Sequence, residues 1–280
     1  MKFSTKLLLH LAAIVTFNGI APANAGNETP WHNTLGGDVR ILFESVAPTE
    51  NGALPGSVRG AIEIKLQDGW HTYWRDPGAS GIPPTFHLDE GSDIGQAAIY
   101  YPAPVWVDNN YGGYAGYTEP VLLPIMVDTR RDKSASFKGS LLLGICEEIC
   151  IPVMLPFDVE ITPSVGSSLN DVIIREAFAQ LPAKAPQEAV DVDMSGKRFV
   201  VTLDQNEGAW TGYAIKSLFV HMDGAQLSNP KRIMNDQAAL AFEAKINHIG
   251  GDETSRSLNI IAVADEMAFE VSTIIELTDQ

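Results

Sequence analysis

The sequence predicts an all-β protein built from two β-sandwich halves that a short amphipathic helix joins. Three observations support this fold class. Apolar residues alternate with polar ones over most of the chain, clusters of Gly, Pro, Asn and Asp separate the alternating runs, and a helical period occurs once. Alternation with a period of two is typical of half-buried strands, and such clusters form the turns of an antiparallel sandwich or barrel.

The composition is that of a globular protein with an acidic surface. The 280 residues include 19 Lys and Arg against 35 Asp and Glu, which gives a formal net charge of −16. Nucleic acids and anionic membrane surfaces select basic proteins. The charge therefore argues against nucleic acid and against an anionic membrane face as partners.

The N-terminal segment has the pattern of a secretory signal peptide. Lys2 and Lys6 precede a mostly apolar stretch over residues 7–20, and residues 23–25 supply a small-x-small cleavage pattern. We expect cleavage after Ala25 and no membrane insertion of the mature chain, because no later segment has the roughly 18 apolar residues that span a bilayer. An uncleaved N-terminal anchor is the alternative.

The strand pattern is clearest in two runs of the first half. Ile62, Ile64 and Leu66 alternate with charged residues, and residues 153–161 alternate strictly between apolar and other residues. Between these runs lie turn clusters at residues 76–78 and 108–110. We expect these runs to be half-buried strands of an antiparallel structure.

One short amphipathic helix is predicted after Pro163. Residues 168–171 resemble a capping box that begins at Ser168, and Pro182 ends the run. Four apolar residues share one helical face: Ile174, Ala177, Phe178 and Leu181.

A second set of alternating runs follows a predicted linker at residues 183–187. These runs cover residues 199–203, 240–246, 258–263 and 269–277. The predicted organisation is a signal peptide (1–25), a first domain (26–165), a helix and linker (166–187) and a second domain (188–280). Each domain has the size of one β-sandwich.

A glycine- and tyrosine-rich segment covers residues 111–117. It has too many glycines for a stable strand and too many aromatic side chains for a plain linker. We interpret it as a loop with a docking surface. The alternative is a glycine-kinked strand whose tyrosines fill the edge of the sandwich.

The two cysteines, Cys146 and Cys150, lie between two apolar runs with strand character. In one straight strand their Cα atoms would be about 13 Å apart, which exceeds the roughly 4.4 to 6.8 Å that a disulfide tolerates. Pairing therefore requires a turn. A turn centred on Glu147 and Glu148 would place one thiol on each arm of a hairpin, whereas Pro152 argues against a helical turn.

The small ring that this pair would close favours a redox role. A five-residue ring constrains the unfolded chain by only about 2 kcal/mol, and tight, strained rings are easily reduced. Glu147 and Glu148 are expected to raise the thiol pKa values, so that exchange needs a chosen protein partner. The alternatives are a structural disulfide in a non-redox binding module, or a copper site formed by the cysteines with Met154.

Two motifs together with the cysteine pair resemble a known family. Residues 68–78 read Asp-Gly-Trp-His-Thr-Tyr-Trp-Arg-Asp-Pro-Gly, and residues 80–84 read Ser-Gly-Ile-Pro-Pro. With the tyrosine-rich segment and the C-x3-C pair, they resemble the periplasmic N-terminal domain of the DsbD family of thiol:disulfide interchange proteins. The helix and the second half resemble the ScsB-type branch, in which a further β-domain extends this region.

The resemblance implies an immunoglobulin-like fold and a periplasmic redox function. Cys146 and Cys150 would accept electrons from a membrane-embedded thiol transporter, here expected on a separate chain, and pass them to thioredoxin-like clients in the periplasm. A cap loop would cover the cysteines until a partner docks. By position, the cap comprises seven residues: Asp108, Asn109, Asn110, Tyr111, Gly112, Gly113 and Tyr114.

We expect no cofactor and no metal at other positions. The histidines after the signal peptide have no metal-ligand spacing, and the chain has neither a P-loop nor a dinucleotide motif. His71 lies between aromatic residues and is expected to pack or to form hydrogen bonds. Arg75 and Asp76 are expected to form a local ion pair or a turn contact.

Overall fold

The computed structural model describes residues 27–78, 81–108, 113–130, 133–164, 166–204, 209–234, 240–251, 254–265 and 267–276. The predicted signal peptide lies outside these ranges. Within them the chain is almost entirely β-sheet with one α-helix, so the predicted all-β fold class is confirmed.

The first half forms two sheets that enclose one apolar core. The strand orders over the described residues are β1-β2-β3-β9-β6 and β11-β10-β4-β8-β7, with β5 paired to β10. The strands are β1 (His32–Asn33), β2 (Gly37–Phe43), β3 (Ser57–Leu66), β4 (His71–Tyr73), β5 (Thr85–Leu88), β6 (Ile94–Ile99), β7 (Val105–Val107), β8 (Tyr114–Tyr117), β9 (Val121–Thr129), β10 (Ala135–Cys146) and β11 (Cys150–Ile161).

The alternation seen in the sequence corresponds to burial in these strands. Ile62 and Ile64 of β3 are buried, and Leu155 and Phe157 of β11 point into the same core from the second sheet. Glu63 and Pro156, which lie between these pairs, are less buried, as expected when alternate residues of a strand face the core. The predicted strands of the first half are therefore confirmed.

The predicted helix is α1 (Leu169–Ala179), and its capping box is present. The Asp171 N–H donates to the Ser168 hydroxyl, and the Asp171 carboxylate accepts a hydrogen bond of 2.7 Å from the Ser168 N–H. The same carboxylate accepts a hydrogen bond of 2.6 Å from the Ser45 N–H. The N-terminus of the helix is therefore tied to the first half of the chain.

The apolar face of α1 packs on the outside of the first sheet. Ile174 and Ala177 are buried against Leu42 of β2 and Ala61 of β3. The helix is thus part of the first half of the chain, which it covers from the outside. The described residues include no helix with the length and apolar character needed to cross a bilayer.

The second half also forms two sheets. Their orders over the described residues are β12-β20-β19-β15 and β13-β14-β18-β16, with β17 also paired to β18. The elements are β12 (Ala183–Lys184), a 3₁₀ turn (Gln187–Ala189), β13 (Val190–Ser195), β14 (Arg198–Leu203), β15 (Ser217–Met222), β16 (Ala225–Leu227), β17 (Lys231–Met234), β18 (Leu240–Ile249), β19 (Ser255–Val263) and β20 (Ala268–Glu276).

The predicted linker at residues 183–187 differs from the structure at its start. Ala183 and Lys184 form strand β12, which pairs in parallel with Phe269 and Glu270 of β20. The chain therefore enters the second half directly after the helix. A strand of two residues is too short to show an alternation in the sequence, which is why the composition suggested a linker.

The two halves share an apolar contact. Phe219 and Ile261 of the second half belong to the same buried cluster as Trp74 of the first half. The rings of Trp74 and Phe219 meet edge to face with their centroids 5.9 Å apart. The apolar core of the first half therefore continues into the second half.

A partly buried ion pair crosses the same contact and corrects one prediction. Arg75 does not form a local ion pair with Asp76, because its guanidinium binds the Glu270 carboxylate at 3.1 Å. Asp76 does make a turn contact, since its Oδ1 accepts a hydrogen bond of 3.4 Å from the Gly78 N–H. Arg75 and Glu270 are far apart in the sequence, so no local sequence pattern predicts that they pair.

Replacing Asp171 by Asn should lower the stability of the protein by about 1 kcal/mol at pH 7. Burial raises the pKa of Asp171, but the hydrogen bonds from Ser45 and Ser168 outweigh it and hold the pKa below its ordinary value. The stabilisation is present above the unfolded-state pKa of about 3.9 and is lost as the pH falls through the lower folded-state pKa. Urea unfolding at pH 7 and at pH 3 measures the difference.

The control for this variant is Glu176→Gln on the same helix, where the carboxylate bonds with the side chain of Gln180 at the surface. It should change stability by less than about 0.5 kcal/mol. A difference between wild type and Asp171→Asn that is equally large at pH 3 would contradict the role of the charge.

Candidate redox site

The two cysteines close the end of a β-hairpin. Cys146 is the last residue of β10, Cys150 is the first residue of β11, and the two are directly opposite in the antiparallel register. Their Cα atoms are 4.3 Å apart and their sulfurs form a disulfide. This close spacing is typical of opposed residues in an antiparallel pair. The predicted hairpin, with a turn at Glu147 and Glu148, is confirmed.

The two sulfurs differ in their access to solvent. Cys146 is only 1% exposed, whereas Cys150 is partly exposed. In the turn between them, Glu147 and Glu148 are exposed, and Ile149 is 77% exposed. A partner can therefore approach the disulfide from the side of Cys150 and of the turn.

Strand β4 supplies two polar side chains that face the disulfide. His71 is opposite Cys146 in the register of β4 and β10. The Tyr73 hydroxyl oxygen lies 3.2 Å from the Cys146 Sγ and 2.5 Å from the Cys150 Sγ. The His71 Nε2 lies 3.3 Å from the same hydroxyl oxygen. Side chains two positions apart in a strand point the same way. One short strand therefore supplies a row of polar contacts that runs from His71 through Tyr73 to the sulfurs.

A glycine makes room for the tyrosine ring. Gly144 is on the same face of β10 as Cys146, two residues earlier, and a Cβ atom at Gly144 would lie 2.8 Å from the Tyr73 ring. Real Cβ atoms do not approach a ring so closely, so any larger residue would displace Tyr73. The backbone at position 144 is also held, because its N–H donates to the Ile82 carbonyl and its carbonyl accepts from the Thr72 hydroxyl.

Burial keeps the Tyr73 hydroxyl protonated. Burial, together with the neighbouring Tyr114, raises the pKa of Tyr73 to about 12. Burial also lowers the pKa of His71, so that its imidazole is neutral at pH 7. The phenol is therefore a neutral donor aimed at the sulfurs. Its hydrogen bond becomes stronger when the acceptor is a thiolate, because charged acceptors bind donors more tightly.

Of the predicted cap segment, the structure describes Asp108, Gly113 and Tyr114. Asn109, Asn110, Tyr111 and Gly112 lie outside the described residues. Asp108 follows strand β7 and accepts a hydrogen bond of 3.0 Å from the Trp106 indole N–H. Gly113 precedes β8 and has a φ of 81°, which glycine adopts without strain.

Tyr114 covers the cysteines from a strand and not from a loop. It is the first residue of β8, is buried, and stacks on His71 with ring centroids 4.1 Å apart. It meets Tyr73 edge to face at 5.6 Å, and it belongs to one buried cluster with Tyr73 and Cys146. The prediction of a loop over residues 111–117 is wrong for residues 114–117, where the alternative of a strand with buried tyrosines is correct.

Met154 lies too far along its strand to complete a copper site with the cysteine pair. Met154 is four residues after Cys150 on a regular strand, which places their Cα atoms about 13 Å apart. Among the residues that the structure describes, no group of three or more His, Cys, Asp or Glu side chains lies close enough together to hold a metal ion.

Nothing in the sequence indicated that Tyr73 contacts the sulfurs. The expectation that His71 packs or forms hydrogen bonds is met, because its ring stacks on Tyr114 and its Nε2 lies 3.3 Å from the Tyr73 hydroxyl oxygen. The feature of the sequence that points to His71 and Tyr73 is their spacing of two residues. Two polar aromatic side chains at alternate positions, in a short run that also contains Trp, predict a strand with a polar face. Only the pairing of β4 with the end of β10 shows that this face is directed at the cysteines.

Residues 43–159 match the family model described as "Thiol:disulfide interchange protein DsbD, N-terminal". This segment is similar to DsbD N-terminal domains. The match contains both cysteines, strand β4 and the cap segment, and it confirms the resemblance inferred from the sequence. No curated protein matches the chain.

The fold of both halves has a counterpart among solved structures. The N-terminal periplasmic domain of ScsB from Proteus mirabilis aligns with a TM-score of 0.68 and 19% identity, over 90% of this chain and 99% of that chain. A conserved domain protein from Bacillus anthracis aligns over 91% of this chain and 92% of its own, with 11% identity and a TM-score of only 0.26. The ScsB domain therefore shares the two-half architecture.

The DsbD N-terminal match and the paired cysteines support thiol:disulfide interchange as the chemistry of this hairpin. The disulfide has one accessible sulfur, one buried sulfur and a protonated donor next to both. Such an arrangement can accept a thiolate at one sulfur and stabilise the negative charge that develops on the other.

Replacing Tyr73 by Phe should raise the pKa of the more reactive thiol of the reduced protein by about one unit, because a hydrogen bond to a charged acceptor is lost. The pH dependence of thiol alkylation measures this pKa. Tyr73 itself titrates at about 12, so it remains a donor throughout the measured range.

The matched control is Tyr117→Phe, in which the lost hydroxyl donates to the Pro102 carbonyl at 2.9 Å. Its alkylation profile should coincide with that of the wild type. An unchanged profile in Tyr73→Phe would exclude the hydroxyl as a stabiliser of the thiolate.

Proposed function

We propose that the protein is a periplasmic thiol:disulfide interchange protein. It relays electrons through Cys146 and Cys150, from a membrane-embedded thiol transporter to thioredoxin-like clients in the periplasm. The observation that supports this most directly is the asymmetry of the disulfide. Cys150 is partly exposed at the hairpin end, and Cys146 is buried beside the Tyr73 hydroxyl.

Reduction of the disulfide proceeds in two displacements. A thiolate of the donor attacks the Cys150 Sγ, and a mixed disulfide forms as the bond between Cys150 and Cys146 breaks. Cys146 leaves as a thiolate. The second thiolate of the donor then attacks the donor's first sulfur, which is bonded to Cys150 in the mixed disulfide, and Cys150 is released as a thiolate. The donor loses two electrons and two protons and becomes a disulfide. Cys146 and Cys150 gain these electrons and protons and become a dithiol.

Delivery to a client is the reverse of this sequence. The Cys150 thiolate attacks the client disulfide, and Cys146 then resolves the mixed disulfide, which leaves the client as a dithiol. Tyr73 assists in both directions, since its hydroxyl is within hydrogen-bond distance of both sulfurs. Glu147 and Glu148 disfavour a free thiolate outside a complex, which restricts exchange to docked partners.

We propose the segment 108–114 as the cap over the site. Tyr114 supports this role, because its ring is packed on His71 and Tyr73 on the side of the buried sulfur. Asp108 directly follows β7, and Gly113 directly precedes β8.

The location and domain organisation are part of the same proposal. Residues 1–25 act as a signal peptide cleaved after Ala25, and the mature protein works in the periplasm. Residues 26–165 form the redox domain. Residues 166–187 contain the helix and, at Ala183 and Lys184, the first strand of the second half, and residues 188–280 form the rest of the second domain. The aligned ScsB domain is described as periplasmic and spans both halves, which supports this organisation.

Single-cysteine variants test the proposed function. Cys146→Ser leaves the accessible Cys150 without its resolving partner, so mixed disulfides with periplasmic proteins should accumulate. Cys150→Ser leaves only the buried Cys146 and should trap at least about tenfold less, because a thiolate must be reachable to react. Non-reducing gels followed by mass spectrometry of the adducts measure both.

The expected adducts of Cys146→Ser include a thioredoxin-like protein and a membrane thiol transporter. The double variant, with Ser at both positions, is the background control. Equal trapping by the two single variants would contradict the assignment of Cys150 as the exchanging sulfur. No adduct with either would contradict the proposed function.

A further inference from the structure

Strand β4 connects the disulfide directly to the second half of the chain. Tyr73 contacts both sulfurs, and the next three residues contact the second half. Trp74 packs on Phe219, and Arg75 binds Glu270 at 3.1 Å. The third contact is made by Asp76, whose Oδ2 lies 3.7 Å from the Nδ1 of His221 in strand β15.

The second half presents a second buried face for this contact. In β15, Leu218 and Val220 point into the core of the second half, whereas Phe219 belongs to the core of the first half. In β19, Ile260 lies in the core of the second half and Ile261 in that of the first. Burial on both faces of neighbouring strands is what a sheet shows when it is covered on both sides.

The ion pair at this contact is well shielded from solvent. The Glu270 side chain is 12% exposed and the Arg75 side chain is 21% exposed. Glu270 also binds Lys184 of β12 at 2.5 Å. The Arg75 guanidinium lies over the Trp74 ring at 5.2 Å and over the Tyr101 ring at 5.6 Å. Arg75 is therefore held on several sides at once.

Tyr73 has little freedom to move independently of these contacts. It is the last residue of a three-residue strand and pairs with Gly116 of β8. The following N–H, from Trp74, donates to the Ala115 carbonyl at 3.1 Å. Trp74 and Arg75 directly follow Tyr73, so a displacement of these two residues would also displace Tyr73. A shift of about 1 Å would take the hydroxyl out of hydrogen-bond range of the Cys146 Sγ, which lies 3.2 Å away.

We propose that the second half is a positioning element for the redox centre: Phe219 and Glu270 hold Trp74 and Arg75 and thereby keep the Tyr73 hydroxyl against the two sulfurs. Phe219 and Glu270 are positioning residues, since they act through Tyr73. This inference rests on the proposed function and gives the second half a role in it. Loss of the contact weakens the hydrogen bond that the hydroxyl donates to the thiolate of the reduced pair. At a pH where this thiolate is populated, the pair therefore becomes harder to reduce.

The test is the equilibrium of the cysteine pair with glutathione, measured on the full mature chain. The protein is equilibrated with defined ratios of reduced and oxidised glutathione, and free thiols are quantified by alkylation and mass spectrometry. Phe219→Ala and Glu270→Gln should each shift the equilibrium towards the disulfide by about three- to tenfold. A tenfold change corresponds to about 30 mV for a two-electron couple.

A double-mutant cycle identifies the route of the effect. In a Tyr73→Phe background, Phe219→Ala and Glu270→Gln should produce no further shift, because the hydroxyl that they position is gone. A purely structural effect on the hairpin would persist in that background. A shift of the same size with and without the Tyr73 hydroxyl would therefore overturn the proposal.

Two matched controls separate positioning from general destabilisation. Phe199→Ala removes the same ring from the core of the second half. Glu243→Gln removes a carboxylate that binds Arg198 at 2.7 Å. Both should leave the glutathione equilibrium unchanged. Glu270→Gln keeps the shape of the side chain, so it tests the proposal even where Phe219→Ala fails to fold.

The outcomes distinguish this proposal from the proposed function. A wild-type pair that no glutathione ratio reduces would count against the redox function itself. A wild-type pair that is reduced, with Phe219→Ala and Glu270→Gln at the wild-type equilibrium, would overturn only the positioning role. Equal shifts in the two controls would overturn it as well.

Discussion

The contact between one tyrosine hydroxyl and two sulfurs is the interaction on which the rest of the site depends. Tyr73 reaches the disulfide because β4 pairs with the last residues of β10, and because Gly144 leaves space for its ring. His71 and Tyr114 pack around the phenol and exclude water. That burial keeps the hydroxyl protonated. The disulfide is thereby placed beside a donor that binds a thiolate better than it binds a disulfide.

The hairpin geometry explains how a small disulfide ring can serve exchange and contribute little to stability. A five-residue ring removes little entropy from the unfolded chain, so the long β10–β11 ladder holds this part of the fold with or without the bond. Opening the bond therefore leaves the scaffold intact. The buried Cys146 and the accessible Cys150 give the two sulfurs different roles, and we propose that the exposed turn with Ile149 is where partners approach.

The sequence predicted those parts of the structure that follow from local patterns. Alternation gave the strands, the capping box gave the helix from Leu169, and the cysteine spacing together with Pro152 gave the hairpin. It did not reveal the contacts between distant segments. Arg75 binds Glu270 across 195 positions, and no local pattern encodes such a pair. Residues 114–117 were misjudged because their glycines indicate a loop, whereas β4 and β7 pair with them on both sides.

The reduction potential of the Cys146–Cys150 couple in the wild-type protein tests the central claim most directly. It is obtained by titrating the mature chain against thiol buffers of known potential and quantifying the alkylated cysteines. A couple that opens and closes in the work of the protein is predicted to lie above about −300 mV, within the range of catalytic and labile disulfides. A potential far below that value would identify an inert structural bond and would contradict the account.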